Sequence, residues 1–163
     1  IYFDLEKLDK FFFNDYPFPE CRGDINSIKL DKKNLNLIDE SYNSNPLSLK
    51  SAILNFDKID SKNSKKYLLL GDMLELGKYS KKLHRSIGHV INKTKIDKVY
   101  VKGNNILSTF NSISKFKRGK ILKKNSQIDQ LIKSRLNNCD YLMVKASNAT
   151  GFYSIVNNIK GSK

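Results

Sequence analysis

The stretch LNLIDESYNSNPLSLKSAILNF, Leu35–Phe56, joins a short apolar run to a segment with helical spacing through DESYNSN. Pro46 is a favoured first helical residue, and Asn45 before it is a candidate cap. Leu47, Leu49, Ile53, Leu54 and Phe56 are the predicted buried stripe of that helix. The run before it ends in two adjacent carboxylates, Asp39 and Glu40, where a plain connector more often carries Gly. Adjacent like charges cost energy unless something outside them uses the charge, so the loop reads as a binding wall rather than a linker.

The same alternation continues along the chain. Short apolar runs at Tyr67–Leu70, Val99–Val101, Lys120–Leu122 and Tyr141–Val144 follow the one at Leu35–Ile38. Helical patterns lie between and after them. One runs from Ser80 to Lys93, with Leu83, Ile87, Val90 and Ile91 inward. Another covers Ser126 to Leu136, with Ile128, Leu131, Ile132 and Leu136 inward. A last one follows Asn148, with Phe152, Ile155, Val156 and Ile159 inward. Strand and helix in strict alternation predict βαβ units and an α/β fold, a mainly parallel twisted sheet with helices on both faces. Near-continuous apolar strands fit a sheet covered on both sides. The first thirty residues, with FFFNDYPFPECRGDINSIKL, read as irregular, with a turn at Arg22-Gly23-Asp24.

Ligands of such a sheet gather beyond the carboxyl ends of its strands. That rule selects DESYNSN, GDMLELG (Gly71–Gly77), KGNN (Lys102–Asn105) and KASNAT (Lys145–Thr150). Asp39 and Glu40 can accept hydrogen bonds from sugar hydroxyls, and the amides of Asn43 and Asn45 suit a purine edge. Asn45 has the alternative role of capping its helix. Asp72 is placed where a strand-end carboxylate would face the cleft, or else serves a turn. Lys145 ends a buried strand and is followed by Ser147 and Asn148, candidate caps of a helix whose amino end would favour an anion. His84 is expected on the solvent side of its helix or partly packed, without a catalytic role.

Composition narrows the function. The 163 residues suit one domain with a substantial core. Lys+Arg number 30 against 16 Asp+Glu, a net charge of +14. The excess is almost wholly Lys, scattered along the chain, whereas a nucleic-acid reader concentrates its basic residues and favours Arg. A surface with a compositional bias is the expectation; a basic module for RNA or an anionic membrane surface is the competing class. Cys21 and Cys139 lie far apart, and His84 and His89 are five apart, so neither pair has zinc spacing. No apolar run approaches the roughly 18 residues of a membrane span, and no signal-like segment is present. No G-x-x-x-x-G-K-[ST] or G-x-G-x-x-G motif occurs, so whatever holds the phosphates of a nucleotide is not a P-loop in this chain.

LIDESYNSNPLSLKSAI, LLLGDMLELGKYSKKLH, KVYVKGNNI and YLMVKASNAT resemble the carboxy-terminal domain of the Mur ligases. Within them they look like the branch that adds D-alanyl-D-alanine to UDP-N-acetylmuramoyl-tripeptide. The resemblance covers roughly residues 20–160, and the pair DESYNxNP and GDMxELG in this order is its specific part. It implies a dinucleotide-binding-like fold over residues 20–163, with residues 1–19 as the end of a linker or preceding domain. It also implies a cytoplasmic, monomeric ligase in which ATP phosphorylates the substrate carboxylate and an incoming amine attacks the acyl phosphate. The P-loop and the Mg2+ ligands would belong to a central domain that this chain does not resemble. No nucleic-acid or membrane partner is implied. By position, Arg22, Asp39, Glu40, Asn43 and Asn45 fall on the ATP side. Asp72, Lys145, Ser147 and Asn148 fall on the D-alanyl-D-alanine side. The chain departs from the family pattern at Cys21 and Ala146, where Gly is usual. Ala146 fits only if its φ is negative. A degenerate ligase piece without present function is a third possibility, and the isolated chain is expected to fold without catalysing.

Overall fold

The computed structural model describes residues 23–30 and 33–161. Six strands form one sheet in the order β1-β2-β6-β3-β4-β5. They are β1 (Asp24–Leu30), β2 (Lys33–Glu40), β3 (Lys66–Gly71), β4 (Lys98–Lys102), β5 (Arg118–Ile121) and β6 (Tyr141–Lys145). Only β1 runs antiparallel, against β2; every other pairing is parallel. The helices are α1 (Pro46–Lys58), α2 (Ser80–Asn92), α3 (Leu107–Ser112), α4 (Ser126–Arg135) and α5 (Phe152–Gly161).

Strand side chains alternate between faces, and the alternation divides the core into two layers. Leu35 and Leu37 of β2, Tyr67 and Leu69 of β3, Tyr100 of β4, and Leu142 and Val144 of β6 pack under α4 and α5. Ile38, Leu68, Leu70, Val99, Val101 and Met143 pack on the other side under α1, α2 and α3. The parallel α/β sheet and the four longer helices are those expected from periodicity.

Two expectations are corrected, and one element had not been expected. Asp24–Leu30 is a regular strand, paired with β2 from Asp24↔Asp39 to Leu30↔Lys33. It lies at the sheet edge, with Ile25 56% exposed and Asn26 and Ser27 interrupting the apolar pattern, so it lacks the signature of a buried strand. Leu47 and Leu54 do not belong to the buried stripe of α1: they are 75% and 39% exposed, and Ala52 takes the inward place beside Leu49, Ile53 and Phe56. The one-and-a-half-turn α3 was too short to show a period. The region of residues 1–19 and the positions of Cys21 and Arg22 lie outside the described residues.

Close packing reaches the carboxyl ends of the strands. A Cβ added at Gly71 would lie 2.6 Å from the Ala146 methyl and 2.7 Å from the Phe152 ring. Ala146 itself is fully buried and is absent from the non-glycine residues with positive φ (Lys62, Glu75 and Cys139), so its departure from Gly is accommodated without backbone strain. Gly71→Ala is therefore expected to lower the unfolding free energy by about 1–3 kcal/mol through overpacking, read from urea denaturation. A change within a few tenths would mean that β3 and α5 can separate freely.

Candidate functional site

Glu40 and Lys145 end two neighbouring parallel strands and are register partners. Both side chains project to the α1 side. The Lys145 ammonium is 2% exposed; it donates to Glu40 Oε2 at 2.9 Å and to the Asn43 carbonyl at 2.9 Å. An ammonium offers three donors, and these two bonds hold it in place under the DESYNSN loop. The lysine is thus a buried, paired charge rather than a solvated one.

DESYNSN turns into α1 through a capping box. Asn45 Oδ1 accepts from the Ser48 amide at 2.8 Å, and Ser48 Oγ accepts from the Asn45 amide at 3.1 Å. The cap therefore occupies the Asn45 carbonyl oxygen, leaving its Nδ2 as the group it can offer to a ligand. Asn43 is exposed, and its Oδ1 accepts from the Ser44 amide at 2.7 Å. Two adjoining hollows open here. One of about 350 Å³ is lined by Glu40, Asn43, Asn45, Lys145 and the α1 side chains Ser51 and Asn55. The other, about 650 Å³, is bounded by Asn45, Ser44, Leu74, Glu75, Ser147 and Asn148. Tyr42, Asn43 and Asn45 border both. Ser44 Oγ, in a residue 3% exposed, is buried without a hydrogen-bond partner among the described residues.

The structure brings Glu40, Asn43, Asn45, Lys145, Ser147 and Asn148 to these two hollows, and it turns Asp39 and Asp72 away from them. Asp39 lies on the opposite face of the sheet from Glu40. Fully buried, it accepts from Ser41 through Oδ1 and pairs with Lys160 of α5 through Oδ2 at 2.6 Å. Period-two geometry forces this separation. Asp72 turns from the cleft to the β4–α3 loop, where its carboxylate accepts from the amides of Asn104 (3.1 Å) and Ile106 (2.7 Å). Gly103, at φ +142, leaves no room for a side chain beside it. Ser147 is buried and does not cap a helix: its Oγ accepts from the Leu74 amide at 3.0 Å and donates to the Ser44 carbonyl at 3.1 Å. The helix after β6 begins only at Phe152, beyond the left-handed Gly151, so no amino end of α5 opens at Lys145. Arg22, also expected here, lies outside the described residues.

His84 is the other correction. It is fully buried, and its Nε2 accepts from the Met73 amide at 3.1 Å. The proton then sits on Nδ1, which donates to the Ser80 carbonyl at 2.9 Å. The ring anchors GDMLELG to α2. Sequence reasoning also missed Ser48, Ser51 and Asn55, although their three- and four-residue spacing marks one polar face of α1. Tyr42 and Ser44 carried no such signal. Among the described residues no three His, Cys, Asp or Glu side chains group to hold a metal ion.

The chain matches the model of the Mur ligase glutamate ligase domain over residues 27–148. It is 32% identical over 137 residues to the UDP-N-acetylmuramoyl-tripeptide–D-alanyl-D-alanine ligase of Bacillus subtilis (strain 168), covering 81% of this chain and 29% of that protein. Similarity to the enzyme of the same name from Buchnera aphidicola subsp. Acyrthosiphon pisum (strain APS) is 33% over 143 residues, 85% of this chain and 30% of that one. The fold resembles the MurF ligase of Thermotoga maritima, crystallised with ADP, at a TM-score of 0.73 and 23% identity, over 95% of this chain and 34% of that chain. The chain thus spans less than a third of the length of the two curated relatives.

The Glu40–Lys145 pair makes a specific stability prediction. Lys145→Met strands the Glu40 carboxylate, 21% exposed, and is expected to lower stability by about 1–3 kcal/mol. Adding Glu40→Gln to the same chain should recover part of that loss, a coupling measurable by denaturation of the four members of the cycle. Strict additivity of the two single changes would show that the pair contributes nothing.

Proposed function

The chain belongs to the Mur ligase family, and we propose that it is the closing domain of an ATP-dependent amide ligase that joins D-alanyl-D-alanine to UDP-N-acetylmuramoyl-tripeptide in peptidoglycan precursor synthesis. The observation that carries this reading is the convergence of Glu40, Asn45 and Lys145 on one hollow beyond the carboxyl ends of β2 and β6. The names of the two relatives supply the substrates, and the ADP of the Thermotoga complex supports the nucleotide.

The residues present fit one wall of a nucleoside site. Glu40 is an acceptor for ribose hydroxyls, held in place by Lys145. Asn45 Nδ2 is a donor for a ring nitrogen. The unpartnered hydroxyl of Ser44 and the exposed Asn148 serve the neighbouring hollow, assigned to the incoming dipeptide. When bound, ATP supplies the phosphoryl group that activates a carboxylate. The described residues lack a metal-holding cluster and the chain lacks a P-loop, so the phosphates and Mg2+ are assigned to the part of the ligase that this chain does not span. The domain contributes positioning, which a hinged closure can make conditional on bound substrate. The assigned setting is the cytoplasm, with a monomeric full-length enzyme. Residues 20–163 form the domain and residues 1–19 the end of the segment leading into it.

In a full-length ligase carrying this domain, Glu40→Gln is expected to raise the KM for ATP by about tenfold with a smaller change in kcat. Gln is the appropriate change because it leaves Lys145 an acceptor. An unaltered KM would remove Glu40 from the nucleotide site. The isolated 163-residue chain should show no ATP-dependent ligation in an assay of phosphate release; turnover by it alone would contradict the assignment of the phosphates elsewhere.

A further inference from the structure

At the other end of the sheet, about 15 Å from Glu40 by strand rise, a third hollow of about 520 Å³ opens at the amino ends of β3 and β4. Lys65, Lys98, Arg118, Lys120 and Arg135 surround it, and the only acid on its lining is Asp97. Asp97 Oδ2 accepts from the Lys66 amide. Among the described residues, none of the five cations forms an ion pair with a carboxylate. Two are held by neutral carbonyls instead: Lys98 by Phe116 at 2.8 Å, and Arg118 by Ile113 and Asn111 at 3.1 and 2.7 Å. Their charge is fixed in place without being neutralised. Like charges gathered around one hollow favour the entry of a counter-charge.

The floor of the hollow is aromatic, with phenol donors. Tyr67 and Tyr100 line it with ring centroids 6.4 Å apart, and each residue is more than nine-tenths buried. The Tyr67 hydroxyl donates to the Arg135 carbonyl at 3.3 Å, covering the carboxyl end of α4. The Tyr100 hydroxyl makes no hydrogen bond to another described residue and, unlike Ser44 Oγ, is not sealed from solvent, so it is open to the hollow. Burial raises both phenols, Tyr67 to about 12, so each remains a donor at neutral pH. Gly119 permits this floor, because a Cβ there would lie 2.7 Å from the Tyr100 ring.

We propose that this hollow is a second binding site, for a small phosphate-bearing anion. Its donors come from β3, β4, β5 and the end of α4, hence from several directions, which suits a tetrahedral group better than a planar carboxylate. Its volume exceeds that of a single phosphate and falls in the range of small-ligand pockets. Nothing in the ligase reading requires this site, and its failure would leave that reading untouched.

Titration calorimetry of the chain with inorganic pyrophosphate, and separately with ribose 5-phosphate, tests the proposal at low and moderate salt. Saturable binding of at least one is expected, and which of the two binds tighter separates a bare phosphate site from one that also takes an attached sugar. Tyr100→Phe and Arg135→Gln should each weaken binding by about tenfold, while Lys145→Met at the opposite end and Lys82→Gln on the exposed face of α2 should not. Arg135 is exposed, so its variant tests the site without disturbing the core; circular dichroism checks the fold of both. The proposal is overturned by absence of saturable binding at millimolar ligand. It is equally overturned if Lys82→Gln weakens binding as much as Arg135→Gln, or if Lys145→Met alone abolishes it.

Discussion

Glu40 and Lys145 face one another across β2 and β6, and the carboxyl end of the sheet is arranged around that contact. A lysine 2% exposed is unfavourable without compensation. Here the compensation is one carboxylate and one main-chain carbonyl, both from the loop that forms the cleft wall. The ion pair therefore does two things at once. It fixes the direction of the Glu40 carboxylate, and it draws DESYNSN down onto β6 so that Asn45 can start α1 beside the hollow. His84 and Ser147 secure the facing loop in the same way, with buried polar atoms holding the Met73 and Leu74 amides. The walls of the cleft are thus fixed from beneath by bonds that no ligand needs to supply.

The charge imbalance has a structural counterpart. Acids are scarce, and several of them hold backbone rather than pair with lysines: Asp72 the β4–α3 loop, Asp97 the start of β3, and Asp140 the amides of Lys65 and Asn137. Lysines answer by donating to carbonyls. Lys33 reaches those of Lys133 and Leu136, Lys66 that of Asp57, and Lys117 those of Thr94 and Ile96. Burial lowers the Lys117 ammonium, with Asp57 and Asp97 opposing the shift. The positive excess is therefore more than a solvated coat, since part of it closes exposed ends of the backbone.

How much of this was legible in the sequence follows from the range of each interaction. Parallel strands and longer helices announce themselves through local period, and so did the strand-end loops that bear Glu40, Asn45 and Lys145. Asp39 could have been separated from Glu40 by the same period, since neighbours on a strand cannot share a face. Asp72, Ser147 and His84 were different: each looks like a cleft or surface residue until a partner from another element is known. Asp72 answers to amides 32 and 34 positions away, and Ser147 to one 73 positions away. No local pattern encodes those distances. The edge strand β1 was hidden for the opposite reason, because half-exposed backbone pairing leaves little apolar trace.

The position of β6 has a consequence for how the molecule comes into being. Among the described strands it comes last in sequence, yet it lies third in the sheet, joining β2 on one side to β3 on the other. Without it, β1-β2 and β3-β4-β5 share no ladder, and a seam of unpaired backbone lies between them. Loss of β6 would therefore leave that seam open to other chains. The hollow lined by Glu40 and Lys145 depends on the same β2–β6 pairing that closes the sheet.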